Sequence, residues 1–381
     1  MAATATITAT DWLEKAKHLA KTELVELGDE LERADEMSDE VWQRLTDTGL
    51  LRLTLKKEYG GEGLSESDYF PILEVCAQPQ GAIRMLIHGA NGLWRILDQY
   101  GSEEMKRAYL PPLAHGAYNV FVITEPEAGS GRDMKTTARQ TKDGWVLNGQ
   151  KHWATHADRA QVFYIIAKSV DEDGGDLGFS AYLVEPDRQG LTMEHMAPTM
   201  GCRGVRHDLL TFADCWIPTE NVIGRVGQGL DIAFRGFLDL SRLSIANCCV
   251  GVAQAALEEA VAFARERVTF GKPIASRQYI QGRLAEAATD VHAGRLMVQD
   301  AARKYDAGQT ITREAAMAKF FCLEMGGRVT DHAIRTLGGL GYTTDYKVER
   351  YYRDIRGMWF EEGTAEIQKT VIGRDVVERG W

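Results

Sequence analysis

The hydrophobic pattern of this chain changes its period twice, and this change limits the folds that the chain can adopt. Residues 10–115 carry apolar side chains at the spacing of amphipathic helices, and the same spacing returns from about residue 228. Between these stretches, short runs separated by glycine turns are rich in Val, Ile, Phe, Tyr and Leu, and we predict strands at 119–124, 145–148, 162–167, 179–184, 191–196 and 208–217. Closely spaced strands without long intervening helices favour an antiparallel sheet or barrel. We therefore predict an α+β fold with an N-terminal helical domain (1–117), a middle antiparallel β-barrel or sheet domain (118–225) and a C-terminal helical bundle (226–381).

The charge balance and the cysteine spacing argue against several classes of protein. With 44 basic and 55 acidic residues the net charge is −11, which disfavours broad binding to nucleic acid. No apolar run approaches the roughly 18 residues of a membrane span, and residues 1–10 lack the features of a secretory signal. The six cysteines have no CxxC spacing and the nine histidines no zinc-ligand spacing. We expect a cytoplasmic protein with buried free thiols and no metal site.

The most informative local signal lies near the C-terminus, where a carboxylate is followed at once by a glycine and a threonine. Glu362 precedes Gly363 and Thr364, and the aromatic residues Trp359 and Phe360 stand just before. Glycine lets the main chain approach a ligand closely. Aromatic neighbours would reduce hydration and raise a carboxyl pKa towards the range useful for proton abstraction. An ordinary glycine turn that carries solvated glutamates is the alternative interpretation.

This segment resembles the C-terminal signature of the acyl-CoA dehydrogenase family, and four further segments match that family in the expected order. They cover residues 59–65, 124–130, 267–273 and 337–342. The resemblance extends from about residue 40 to the C-terminus. It implies an N-terminal helical domain, a middle β domain and a C-terminal four-helix bundle whose helices also build the core of a homotetramer.

The resemblance also implies a reaction and a base. In the family, the carboxylate before Gly-Thr removes the substrate α-proton, so the resemblance assigns this role to Glu362. Some branches carry the base immediately before the arginine of an Asp-x-x-Arg element, where this chain has Ser241. The implied reaction is α,β-dehydrogenation of an acyl-CoA thioester to the 2-enoyl-CoA, with hydride transfer to FAD. An electron-transfer flavoprotein is the implied electron acceptor.

Positions that bind FAD in the family are spread over the middle and C-terminal domains. The resemblance assigns them to Phe121, Ile123, Thr124, Ser130, Trp153, Thr155, Arg267, Phe270, Arg335, Gly338, Gly339, Thr364 and Glu366. Arg267 and Phe270 serve the flavin of a neighbouring subunit in relatives, and a guanidinium fork suits a diphosphate. From the residues alone, a strand tryptophan that fills the core between two surface threonines is the preferred interpretation of Trp153, and the glycines could form a simple loop between helices.

Substrate contacts are implied at four positions, namely Ser130, Asp239, Arg242 and Gly363. Three-residue spacing places Asp239 and Arg242 on one helix face, where a simple surface ion pair is the competing interpretation. The loop around Ser130 departs from the family pattern, since Glu127 stands where relatives usually have glycine.

Two further residues leave alternatives open. Glu361 stands where relatives commonly have an aromatic residue. Pointing into the pocket, it would raise the pKa of Glu362 or recognise a polar substrate group, whereas pointing into solvent it would be inert. Arg84 lies near the position of a carboxylate-binding arginine in the glutaryl-CoA branch, but with its register off by one. A helix-surface arginine is therefore the preferred interpretation.

Two other functions remain to be distinguished. The first is a family variant with oxidase, reductase or desulfinase chemistry, and retention of Glu362 argues against variants that have lost the base. The second is a non-catalytic, flavin-containing member that binds nucleic acid, and the acidic balance argues against it. The sequence does not specify the length, branching or ring content of the acyl group.

Overall fold

The N-terminal part of the chain is helical, and hydroxyl side chains mark where its helices begin. The computed structural model describes residues 7–131 and 133–380. Residues 1–6 of the segment 1–10, for which no secretory signal is predicted, therefore lie outside the described residues. Thr8 and Asp11 form a reciprocal capping box, and Ser38 accepts a hydrogen bond from the N–H of Val41. The helices are α1 (Ala9–Leu19), α2 (Glu23–Ala34), α3 (Asp39–Asp47), α4 (Glu66–Cys76), α5 (Gly81–Gly92), α6 (Trp94–Tyr100) and α7 (Glu103–Tyr109).

A single sheet follows these helices. Its strands are β1 (Tyr118–Val122), β2 (Thr137–Thr141), β3 (Gly144–Thr155), β4 (Ala160–Val170), β5 (Asp176–Val184), β6 (Leu191–His195), β7 (His207–Pro218) and β8 (Val222–Ile223). The order is β6-β7-β3-β2-β4-β5-β8, and β1 also pairs with β4.

The predicted middle sheet is confirmed, with one difference in strand direction. Both β1 and β2 pair with β4 in parallel, whereas the other pairings of this sheet are antiparallel. Strands joined by a short turn must run antiparallel. Neither β1 nor β2 is joined to β4 by such a turn, so that constraint does not apply to them.

Helices return after the sheet. They are α8 (Gly229–Ala233), α9 (Asp239–Glu266), α10 (Gln278–Asp306), α11 (Thr312–Leu337), α12 (Val348–Gly357) and α13 (Ala365–Arg379), with a short hairpin of β9 (Val268–Thr269) and β10 (Lys272–Pro273). A π-helical turn at Phe234–Leu238 joins α8 to α9. Helix α9 packs against α4, α10, α11 and α12 and is the central helix of this half.

The central helix has the composition of a possible membrane span. The continuous helical segment Gly229–Glu266, which ends with α9, is long and apolar enough to cross a membrane. In the structure 89% of its most apolar 18 residues are buried, as in the core helix of a folded domain. Its apolar side chains are therefore already used in packing.

The six cysteines are free thiols and all are buried, as the sequence predicted. Burial raises the pKa of the Cys76 thiol, which keeps it protonated. Among the described residues, His, Cys, Asp and Glu side chains form no group of three that could hold a metal ion.

Candidate active site

The segment that precedes α13 is a tight turn with unusual backbone geometry. Glu362 has φ +53° and Gly363 has φ +91°, so both residues adopt the left-handed conformation. Glycine tolerates that region freely, but a glutamate there is uncommon. Two side chains fix the carbonyl oxygen of Glu362. Arg242 Nε donates to it at 3.3 Å and Gln368 Nε2 at 3.2 Å.

A buried lysine underlies the same turn. Lys319 of α11 is fully buried and donates hydrogen bonds to the carbonyl oxygens of Glu361 and Gly363. Burial lowers the pKa of Lys319 to about 8, although the carboxylates of Glu362 and Glu361 oppose this shift. Sequence analysis missed this residue. The available signal was a lysine on an otherwise apolar stretch of α11, next to Ala318.

The carboxyl group of Glu362 is a weaker acid than that of an exposed glutamate. Burial raises its pKa above the usual range, and the charge of Glu361 adds to this effect. The positive charge of Lys319 and a hydrogen bond from Ser241 oppose the shift. The predicted aromatic shield is wrong for Phe360, whose side chain is 75% exposed.

Glu361 points inward and pairs with a buried arginine. Arg84 of α5 is fully buried, and its Nη1 and Nη2 donate to the two carboxylate oxygens of Glu361 at 2.6 and 2.5 Å. The interpretation of Arg84 as a helix-surface arginine is therefore wrong. Burial tends to raise the pKa of Glu361, but the adjacent Arg84 charge outweighs it and the net shift is downward. Glu361 is thus held as a carboxylate beside Glu362.

A histidine and a serine lie between this ion pair and the start of α9. His88 Nε2 is 2.8 Å from Ser241 Oγ, and the His88 ring stacks on Phe237. Burial lowers the pKa of His88 to about 4, so its imidazole is neutral at physiological pH. Sequence analysis identified Ser241 only as the position without a glutamate, and it missed His88.

Asp239 and Arg242 are both buried, which excludes the surface ion pair. Arg242 Nη1 lies 3.1 Å from Asp239 Oδ1, and Thr312 Oγ1 donates to Asp239 Oδ2 at 2.5 Å. Because Arg242 also contacts the carbonyl of Glu362, this pair connects α9 and α11 to the turn.

Next to Ser241 lies a small cavity enclosed by α4, α5, α6 and the π-helical turn. Its volume is about 10 Å³, the room of about one water molecule. Tyr69, His88, Asn91 and Phe237 contribute to its wall. Glu66 and Arg95 also line it and form a buried ion pair with each other.

On the other side of the turn, β3 presents an exposed aromatic residue. Trp153 has φ +58° and lies where the β3–β7 register shifts between Lys151 and Ala154. Its side chain is 47% exposed, which excludes the alternative of a tryptophan that fills the core. Thr155 Oγ1 lies 3.2 Å from Nδ1 of His207, whose ring centroid is 5.2 Å from that of Trp153.

The segment after β1 lies beside Trp153. The N–H of His152 donates to the carbonyl of Thr124 at 3.0 Å, so Thr124 is next to β3. Ile123 is buried, and its carbonyl accepts a hydrogen bond from Lys151 at 2.9 Å. Phe121 packs on Phe237 of the π-helical turn. Phe121, Ile123, Thr124, Trp153 and Thr155 therefore form one continuous region.

A buried ion pair that the sequence did not reveal fixes the following loop. Lys151 Nζ lies 2.8 Å from Glu125 Oε1, and the same oxygen accepts the N–H of Thr136 at 2.9 Å. The Glu125 charge partly offsets the effect of burial, which lowers the pKa of Lys151 to about 8. Ser130 lies in the loop between these anchors and is exposed.

The remaining cofactor positions form a second group at the other end of the helical bundle. Arg267 follows the last residue of α9, about 37 Å along the helix from Arg242 at 1.5 Å per residue. Arg267 is exposed, and Phe270 is 96% exposed. Arg335 lies at the end of α11 and pairs with Asp331 at 2.9 Å.

Two glycines follow α11 in this second group. Gly338 has φ +65°, and a Cβ added at Gly338 or Gly339 would meet no atom within 4 Å. Arg283 of α10 donates to the carbonyl of Arg335 at 3.4 Å, which joins the ends of these helices. Within one chain, Gly338 and Arg267 are thus distant from the turn that carries Glu362.

Thr364 and Glu366 belong to the first group of cofactor positions, the group around Trp153, because they follow Glu362 closely in the chain. Thr364 is the residue before the first turn of α13, and Glu366 lies in that turn with its side chain exposed. An exposed indole with nearby hydroxyls suits a flat heteroaromatic ring. Exposed arginines with open glycines suit a diphosphate. The two groups together fit a dinucleotide such as FAD, but a single chain does not bring them to one place.

Comparison with known proteins gives a consistent result. Sequence models of the acyl-CoA dehydrogenase N-terminal, middle and C-terminal domains match residues 8–117, 120–215 and 227–377. The chain is 36% identical to the CarC subunit of the caffeyl-CoA reductase–Etf complex of Acetobacterium woodii, over 94% of this chain and 95% of that protein. The butyryl-CoA dehydrogenase structure from Megasphaera elsdenii matches with a TM-score of 0.92 at 30% identity, covering 99% of this chain and all of that one. The FAD complex of PigA matches with a TM-score of 0.90 at 27% identity over the full length of both chains.

Proposed function

The chain belongs to the acyl-CoA dehydrogenase family, is an oxidoreductase and uses FAD, and from this premise we propose that it converts a saturated acyl-CoA to the 2-enoyl-CoA. The observation that carries the proposal is the turn at Glu362. Its carboxyl group has a raised pKa, and hydrogen bonds from Arg242 and Lys319 hold the turn. A general base whose pKa lies nearer the working pH is the group this reaction needs.

In the proposed reaction Glu362 removes the α-proton of the thioester. Bound FAD would supply the acceptor for the hydride that leaves the β-carbon, so that a double bond forms between the α- and β-carbons. The α-proton is too weakly acidic for an unaided carboxylate, so donors to the thioester carbonyl are required. The backbone N–H of Glu362 is the donor that this chain would supply. Burial of the turn would also exclude water from the reacting atoms.

We assign the two groups of cofactor positions to two subunits. Thr124, Trp153 and Thr155 would contact the flavin ring within the chain that carries the base. Arg267 and Phe270 would contact the diphosphate and adenine of a neighbouring subunit's FAD. The separation of about 37 Å along α9 supports this division, since a bound dinucleotide could not span both groups of one chain. The assembly would be at least a dimer, and a homotetramer is what the family resemblance implies.

The reverse reaction is a second candidate, because the relative from Acetobacterium woodii is named as a caffeyl-CoA reductase. The same carboxyl group, protonated, would then return a proton to the α-carbon of an enoyl-CoA. That relative is also named as part of a complex with Etf. We propose an electron-transfer flavoprotein as the partner that accepts or supplies the electrons here.

The decisive experiment is anaerobic titration of the purified flavoprotein with a panel of saturated acyl-CoA thioesters. Bleaching of the flavin absorption identifies a reducing substrate, and mass analysis of the product should give the 2-enoyl-CoA. Photoreduced protein mixed with enoyl-CoA thioesters tests the reverse direction. Chemical reduction of the flavin without any response to acyl-CoA thioesters would refute the proposal.

A further inference from the structure

Polar side chains line one face of α5 and α6 beside the candidate base. Arg84, His88, Asn91 and Arg95 follow one another at spacings of four, three and four residues, which places them on the same helical face. His88, Asn91 and Arg95 line the small cavity next to Ser241. This side of the candidate active site is therefore polar.

Both arginines on this face already have a carboxylate partner. Arg84 binds Glu361 through two hydrogen bonds of 2.6 and 2.5 Å, and Arg95 pairs with Glu66. The side chains of Arg84, Arg95 and Glu66 are at most 8% exposed, whereas that of Glu361 is 20% exposed. The two pairs leave no net charge on this face.

We propose that the active site selects uncharged acyl groups, and that Glu361 determines this specificity by occupying the guanidinium of Arg84. The inference rests on the proposed function and names the substrate class of the same site. An acyl group that ends in a carboxylate would meet the carboxylate of Glu361 and find no unpaired guanidinium at Arg84 or Arg95. Like charges at close range disfavour the wrong ligand strongly.

A role in specificity would explain why a buried ion pair stands at this position. Apolar residues of similar volume often replace a buried ion pair without loss of stability. Glu361 is also the member of the two pairs with the most exposed side chain, and it directly precedes Glu362. Its position allows the carboxylate to act on the substrate as well as on Arg84.

The test compares flavin reduction by butyryl-CoA and by glutaryl-CoA, which adds a terminal carboxylate. The quantity compared is the rate constant of flavin reduction divided by the dissociation constant of the thioester. In the unmodified holoenzyme we expect this ratio to be at least about 100-fold higher for butyryl-CoA than for glutaryl-CoA. In Glu361→Gln, Arg84 keeps a neutral partner, and the preference should fall at least about 10-fold. Glu74→Gln is the matched control. It disrupts the remote Glu74–Arg295 pair and should leave the ratio unchanged.

A second variant covers the case in which Glu361→Gln does not fold. Arg84→Met combined with Glu361→Leu removes both charges, and it should still discriminate against glutaryl-CoA because no guanidinium is released. Equal reduction of the unmodified enzyme by both thioesters would overturn the inference. So would loss of discrimination in the double variant, or an unchanged ratio in a folded Glu361→Gln enzyme. If no acyl-CoA reduces the flavin, the proposed function fails instead.

Discussion

Arg242 Nε donates a hydrogen bond of 3.3 Å to the backbone carbonyl of Glu362, and this bond connects the central helix to the turn that carries the proposed base. Gln368 Nε2 donates to the same oxygen at 3.2 Å. These contacts involve only the main chain of Glu362. The side chain can therefore be changed without removing the bonds that hold the left-handed backbone.

Glu362→Gln tests the role of the base directly. The substitution keeps the shape of the side chain and removes its basicity, so FAD and thioester should still bind. We expect the rate of flavin reduction by a good acyl-CoA substrate to fall by about 10²–10⁴-fold or more. Stopped-flow absorbance under anaerobic conditions measures this rate.

Two variants serve as comparisons for that result. Glu378→Gln changes an exposed glutamate at the end of α13 and should behave like the unmodified enzyme. Glu361→Gln should slow the reaction much less than Glu362→Gln. The reverse ranking of the two neighbouring glutamates would assign the base to Glu361.

Lys319→Met should shift the pH dependence of flavin reduction. The ionised form of Glu362 is the active one, so the rate should rise with pH through the pKa of this carboxyl. Burial raises that pKa, and the Lys319 charge partly counteracts the rise. Loss of the charge should therefore move the acidic limb of the profile to higher pH. A profile identical to that of the unmodified enzyme would contradict this role.

The same substitution should lower the free energy of unfolding. It removes hydrogen bonds from a buried cation to the carbonyls of Glu361 and Gly363. We expect a loss of roughly 2–5 kcal/mol, measured by urea denaturation. Lys142→Met, in the exposed turn between β2 and β3, is the control and should be close to neutral.

The purified protein should be yellow and contain one FAD per chain. Trp153 provides an exposed ring beside Thr155, and Gly338 provides open space in the second group. The absorbance of the flavin released by denaturation gives the FAD concentration, and its ratio to the protein concentration gives the stoichiometry. A folded, colourless protein that takes up no added FAD would contradict the assignment of these residues.

A homotetramer, or at least a dimer, should form at micromolar concentration. Arg267 lies about 37 Å along α9 from Arg242, and Phe270 follows it in the β9–β10 hairpin, so we propose that both residues serve the FAD of another subunit. Light scattering after size exclusion measures the mass. Arg267→Ala should reduce FAD occupancy about tenfold or more while the assembly persists, since a charge-assisted contact to phosphate is lost. An active monomer with bound FAD would show that these residues have another function.

Much of the fold follows from periodicity alone. The apolar runs predicted β1, β3, β4, β5, β6 and β7, and the helical spacing predicted the two flanking regions. The pattern missed β2, because Thr137–Thr141 is mostly polar and only Ala138 is buried. A strand that carries few apolar side chains gives no hydrophobic signal, so it can be identified only from the strands with which it pairs in the structure.

The sequence by itself determined the order of the subdomains and the segment that carries Glu362. Only the tertiary structure decided the environment of that residue. Arg84 and Glu361 are 277 positions apart, and Lys319 reaches the same turn from a third helix. Periodicity reports which side chains are apolar, but a buried charge depends on a partner brought close by folding. The structure therefore decided that Arg84 is internal, that Glu361 pairs with it and that Phe360 is exposed.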